Sequence, residues 1–85
     1  MTKKEHRQTR VEVLNPNHVV VRTAVGSTLY NYNTKIASVY HDDSKTELYS
    51  AWKYSSTTSK FRAVYLGETT KETQAKLDAH IYKLV

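Results

Sequence analysis

The chain has 85 residues, a formal net charge of +5 and no cysteine. That length makes one domain burying only about 60–65% of its unfolded surface, which leaves little core to surround a deep catalytic cavity. The missing cysteine excludes a disulfide framework and thiolate metal sites and suits a cytoplasmic protein. No apolar run approaches the roughly 20 residues of a membrane span, and no apolar stretch near the N-terminus resembles a signal peptide. No contact with a membrane is therefore expected.

Charge is uneven along the chain. Lys3, Lys4, Arg7 and Arg10 against Glu5 give the first ten residues +3. Residues 1–8 have no apolar periodicity and read as a flexible basic arm ahead of a single domain over 9–85. Asp42, Asp43 and Glu47 make the middle acidic, and Lys53, Lys60 and Arg62 are then unopposed as far as Gly67.

Residues 9–25 read as a hairpin. Val11 and Val13, then Val19, Val21 and Val25, recur at period 2, and Asn15-Pro16-Asn17 supplies the turn between the arms. Gly26-Ser27 breaks the second arm. Residues 28–40 alternate again, with Tyr30, Tyr32, Thr34, Ile36, Ser38 and Tyr40 on one parity. The apolar parity changes near Ala37 and Val39, which signals a bulge or two strands meeting near Asn33-Thr34. The tyrosine parity belongs either to the core or to a patch for a partner, which includes a dimer interface.

After a polar turn at 41–45, residues 46–54 read as a strand. Ser55 to Ser59 are five successive hydroxyl side chains that can close a hairpin by bonding their own backbone. Residues 61–66, "FRAVYL", read as the strand that follows, ended by Gly67. Thr69 with Glu72 has capping-box spacing, and residues 70–82 carry the good helix formers, with Leu77, Ile81 and Leu84 on one stripe. Strands followed by one helix predict an α+β fold: a small antiparallel sheet of four to five strands with one C-terminal helix packed on it.

The chemistry of catalysis is missing. His6, His18, His41 and His80 lack ligand spacing, and Gly26 and Gly67 are too far apart to form a phosphate-binding loop. No serine sits in a nucleophile elbow. The expectation is a protein that is not an enzyme and needs no metal or cofactor. The stretch that could touch a partner is "WKYSSTTSKFR". Short hydroxyl donors and cations suit phosphate oxygens, and outward aromatic rings can stack on bases. Lys53, Tyr54, Thr57, Thr58, Lys60 and Arg62 are therefore the candidate contact loop, joined by Lys3, Lys4, Arg7 and Arg10 of the arm and its edge.

"YNYNTKIASVY" followed by "LYSAWKYSSTTSKFRAVYLGETTKETQAKLDAHIY" resembles a family of small bacteriophage and mobile-element proteins with a YNT…W-x-YSxTTxK…LG pattern. The matching positions include Tyr32, Asn33, Thr34, Ile36, Ala37, Trp52, Tyr54, Ser55, Thr57, Thr58, Lys60, Leu66 and Gly67. The resemblance runs over about residues 29–84, with Phe61 where that family often has histidine. It implies a non-enzymatic accessory protein, similar in size to anti-CRISPR inhibitors, that binds and modulates a host protein, nucleoprotein or defence nuclease in the host cytoplasm. Non-specific binding of DNA or RNA, or self-assembly as a structural component or homodimer, are the alternatives.

Overall fold

The structure is a computed structural model that describes residues 9–41 and 45–85. The expected arm at 1–8, with Lys3, Lys4 and Arg7, lies outside the described residues. Six strands form one sheet in chain order: β1 (Arg10–Asn15), β2 (His18–Arg22), β3 (Gly26–Asn31), β4 (Thr34–Tyr40), β5 (Thr46–Leu48) and β6 (Lys83–Leu84). Two helices, α1 (Ser56–Leu66) and α2 (Thr70–Asp78), lie between β5 and β6 in the chain. The fold is α+β as expected. The sheet, however, has six strands and is mixed, because β6 returns parallel to β5, and there are two helices instead of one. No helix of the described residues is long and apolar enough to cross a membrane.

The first hairpin turns where the sequence says it should. The Asn15 side chain accepts the Asn17 N–H at 2.9 Å, an Asx turn around Pro16. The long tyrosine segment divides into β3 and β4 at Tyr32-Asn33, and a register shift between Leu29 and Tyr30 inserts Ile36 as an extra residue opposite β3. That bulge is why Ile36 and Ala37, although adjacent, are both buried.

Gly26 opens β3 instead of only breaking β2. It is buried against β4, where an added Cβ would run into the Val39 carbonyl oxygen. The sheet's tight β3–β4 contact at this end needs a residue with no side chain.

The expected strand at 61–66 is the second half of α1. Ser55 caps it, its hydroxyl accepting the Thr58 N–H at 3.1 Å. Gly67, at φ 72°, closes it in the left-handed conformation and donates to Ala63 O at 2.7 Å. The hydroxyl run is therefore a helix start and not a hairpin closure. Residues 52–54 likewise belong to successive turns, with Trp52 N–H donating to Tyr49 O and Tyr54 N–H to Ala51 O.

The capping box is present: Thr69 and Glu72 bond each other's backbone N–H groups. The helix it opens stops at Asp78, short of 82. His80 takes φ 61° and the Ile81 N–H turns back to Lys76 O. Leu77 still packs on the core, but Ile81 and Leu84 face outward and Tyr82 packs inside in their place.

Cross-strand pairing defines two faces. His18, Val20, Ser27, Leu29, Asn31, Ala37 and Leu48 share the face under the helices. There Tyr65 bonds Ser27 at 2.7 Å, and Thr58 bonds His18 and Asn31. The other face carries Val11, Val13, Val19, Val21, Tyr30, Ser38 and Glu47. Val11 and Val13 are exposed on it, while Val19, Val21 and Tyr30 are half-buried. Tyr40 and Tyr49 close over Ser38 and leave it 1% exposed.

Candidate functional site

The fold scatters the expected cation cluster. Arg62 is fully buried. Its guanidinium lies 4.9 Å from the Trp52 ring centroid, with Nη1 donating to Trp52 O at 2.8 Å and Nη2 to Thr70 Oγ1 at 2.6 Å. Burial pulls its pKa below the ordinary arginine value, and Glu68 partly opposes that. An arginine held this way keeps its charge and acts as an internal brace between α1, α2 and the 52–54 turns. Thr58 is fully buried too. Neither residue reaches the surface on which the sequence reading put them, because the hydroxyl run winds into a helix whose inner stripe is Thr58 and Arg62.

The other candidates are exposed but diverge. Lys53 lies over Trp52 and reaches Gln74 of α2 at 3.5 Å, beside a cleft of about 700 Å³. Thr57 and Lys60 lie on the outer side of α1, with the Lys60 amine over the Phe61 ring, 5.9 Å from its centroid. Arg10 sits on the outermost strand of the sheet. Among the described residues no three His, Asp or Glu side chains come together as a metal site.

One candidate, Tyr54, lines a pocket together with a residue from a distant part of the chain. Tyr54, 74% exposed, and Tyr32, 69% exposed, line a single pocket of about 330 Å³. Ile36 and Ala51 supply apolar lining, and Asn31 and Thr34 the polar part. The pocket carries no charged side chain. Tyr32 is held there by the turn, which sets its φ at 55° while its N–H donates to Asn17 O at 2.8 Å. A bulky residue with positive φ is strained, and such strain persists only where the surroundings enforce it. Tyr32 is expected on the tyrosine parity, as core or as a patch for a partner, and no spacing in the chain links it to Tyr54.

Behind the pocket runs a buried hydrogen-bonded chain that sequence reasoning missed. Asn15 Oδ1 already accepts the Asn17 N–H, so the His18 ring must donate to it from Nδ1. That leaves His18 Nε2 to accept from Thr58 Oγ1, 3.1 Å away, and Thr58 in turn accepts from Asn31 Nδ2 at 3.2 Å. His18 is 2% exposed and stacks on Phe61 at 4.9 Å. Desolvation holds its pKa below 6.5, in keeping with the neutral ring this chain of bonds requires. Four residues from β1, β2, β3 and α1 thus fix the end of β3 on which Tyr32 turns.

A second buried centre anchors α2. Desolvation pushes the Glu68 carboxyl up, but hydrogen bonds from Lys76, Thr73 and Tyr82 outweigh it and the pKa falls below 4.5.

Comparison with curated proteins and with solved structures finds no match. A family model does match, and its extent takes in β1 to β5 and both helices, so it includes every element that builds the pocket and the hydrogen-bonded chain behind it. On that match over residues 1–80, the chain belongs to the family of unknown function DUF8033.

Proposed function

We propose that the protein is a non-enzymatic binding protein that docks on another protein by taking one apolar side chain of that partner between Tyr32 and Tyr54. The observation that carries the reading is the pocket itself. Two exposed tyrosines from distant parts of the chain meet over an uncharged apolar floor. Its volume falls at the lower end of the about 300–1,000 Å³ typical of ligand sites. Tyrosine is enriched among residues that dominate interface energetics, because a large rigid ring contacts much surface at little entropic cost. The uncharged lining favours a protein side chain over a phosphate. Exposed Lys53 and Lys60 do not line this pocket, and their charge would speed encounter more than it holds the complex. Action as a phage-type accessory protein on a host nuclease or nucleoprotein is the setting this chemistry fits.

Selection from a random peptide library against the immobilised protein tests the reading. Enriched peptides should share one large apolar anchor. Tyr32→Ala and Tyr54→Ala should each weaken them at least about tenfold, or about 1.4 kcal/mol. Enrichment indifferent to both substitutions, or none at all, overturns it. A shifted band with single-stranded DNA or RNA whose affinity falls steeply with salt would favour the nucleic-acid alternative instead.

A further inference from the structure

Among the described residues the outermost strand, β1, pairs only with β2, and none of them bonds the backbone donors and acceptors of its other edge. Thr9 to Val13 are all exposed, with Val11 60% and Val13 66% accessible. The charges on this edge are arranged awkwardly for a lone molecule. Arg10 stands directly opposite Arg22, like against like. Arg22 escapes by reaching diagonally to Glu12, with Nη2 and Oε1 2.8 Å apart. Arg10 has no ion pair among the described residues.

We propose that this edge pairs with the same edge of a second copy, in antiparallel register about a two-fold axis at Val11. The register follows from parity and charge. Residues opposite one another in an antiparallel pair project to the same face of the sheet, so the axis must pass through a residue of β1. An axis at Arg10 sets arginine against arginine. One at Glu12 sets glutamate against glutamate, and one at Val13 sets Glu12 against the second copy's Leu14. Only the axis at Val11 puts Arg10 opposite the second copy's Glu12, twice by symmetry, with Val11 on Val11 between them and Val13 beside Thr9. The stranded Arg10 gains its counter-charge, and Glu12 bridges two arginines. Such an isologous contact closes on itself and joins two six-stranded sheets into one. It uses five residues of edge from each copy, so a weak, salt-sensitive dimer is expected.

The experiment is a charge exchange read by sedimentation from about 10 µM to about 1 mM. Wild type should dimerise as concentration rises, and less so in high salt. Arg10→Glu sets glutamate against glutamate, and Glu12→Arg sets arginine against arginine. Each variant alone should dimerise at least about tenfold more weakly than wild type. Mixed together, they restore both opposite-charge pairs and should form the mixed dimer. Circular dichroism on each variant verifies that the fold persists, and both side chains are more than half exposed or lie on the open edge. A wild type that stays monomeric throughout overturns the proposal. So does dimerisation that ignores both substitutions, which would place a second copy elsewhere, such as on the open valine and tyrosine face. A mixture that fails to pair when each single variant is folded rejects the register.

Discussion

Arg62 places its guanidinium 4.9 Å from the Trp52 ring centroid and also bonds that residue's own carbonyl, so one buried cation touches both the ring and the backbone of the segment leading into α1. This contact adds to the apolar core in which the chain's one tryptophan is buried.

Replacing Arg62 should therefore do more damage than any surface cation. Arg62→Met fills space but leaves the Trp52 carbonyl and the Thr70 hydroxyl without a donor, at a cost of about 2–4 kcal/mol. Arg62→Lys keeps the charge without the planar fork and should cost about 1–3 kcal/mol. Urea unfolding followed by Trp52 fluorescence measures both. A loss for Arg62→Met below that of Lys60→Met would show that the brace is unimportant.

Stability should fall in acid in two steps. His18 has a folded pKa below 6.5, so the native state binds fewer protons than the unfolded chain. Its contribution is complete above 6.5 and is lost as pH drops from there through the folded value. Glu68 follows the same sign lower down: its stabilisation is present above 4.5 and disappears as pH falls through its own depressed value. Unfolding free energies measured from neutral pH downward should show both slopes. His18→Gln should flatten the first and Glu68→Gln the second.

Tyr32 is held where its backbone resists. Tyr32→Gly relieves about 1–2 kcal/mol of left-handed strain, set against about 0.5–1 kcal/mol of added freedom in the unfolded chain. A small net gain in melting temperature is expected together with loss of peptide binding. Tyr54→Ala, exposed and unstrained, should leave stability within about 0.5 kcal/mol while weakening binding equally. If Tyr32→Gly lowers stability, the turn is not strained.

Gly26→Ala probes the sheet. The new methyl would meet the Val39 carbonyl and lie 3.0 Å from the Tyr40 Cα, all main chain with no flexible end to move. Loss of about 2–4 kcal/mol is expected, whereas Gly67→Ala meets no neighbour and pays only for its φ of 72°. A scan of both by thermal melting distinguishes a steric from a conformational requirement.

Much of the sheet was legible because valine alternation and the Asn15-Pro16-Asn17 turn act locally. So was the capping box at Thr69, which needs only its own four residues. The misread segment was "FRAVYL". Six residues satisfy period 2 and a helical stripe alike, and the deciding evidence lay outside them, in a serine cap on one side and a left-handed glycine on the other. Arg62 was misplaced for a related reason: it looked like surface because arginine is seldom fully buried. Its partners are a tryptophan carbonyl ten residues back and a threonine in the next helix. The Tyr32–Tyr54 pocket depends on β3–β4 lying beside the turns before α1, a long-range packing that no spacing announces. Tyr54 could be named in advance, but its partner could not.

The make-up of the interior has a thermal consequence. Among the described residues, six apolar side chains are buried, from Val20 to Trp52, and six polar or charged ones, from His18 to Thr73. Exposing apolar surface raises the heat capacity of unfolding, and exposing polar surface lowers it. An interior so evenly divided should unfold with a heat-capacity increment below the usual roughly 12–15 cal/mol/K per residue. Its free-energy curve is then shallow, so modest stability changes little across a wide span of temperature and cold weakens the fold less than in a greasier domain of the same size.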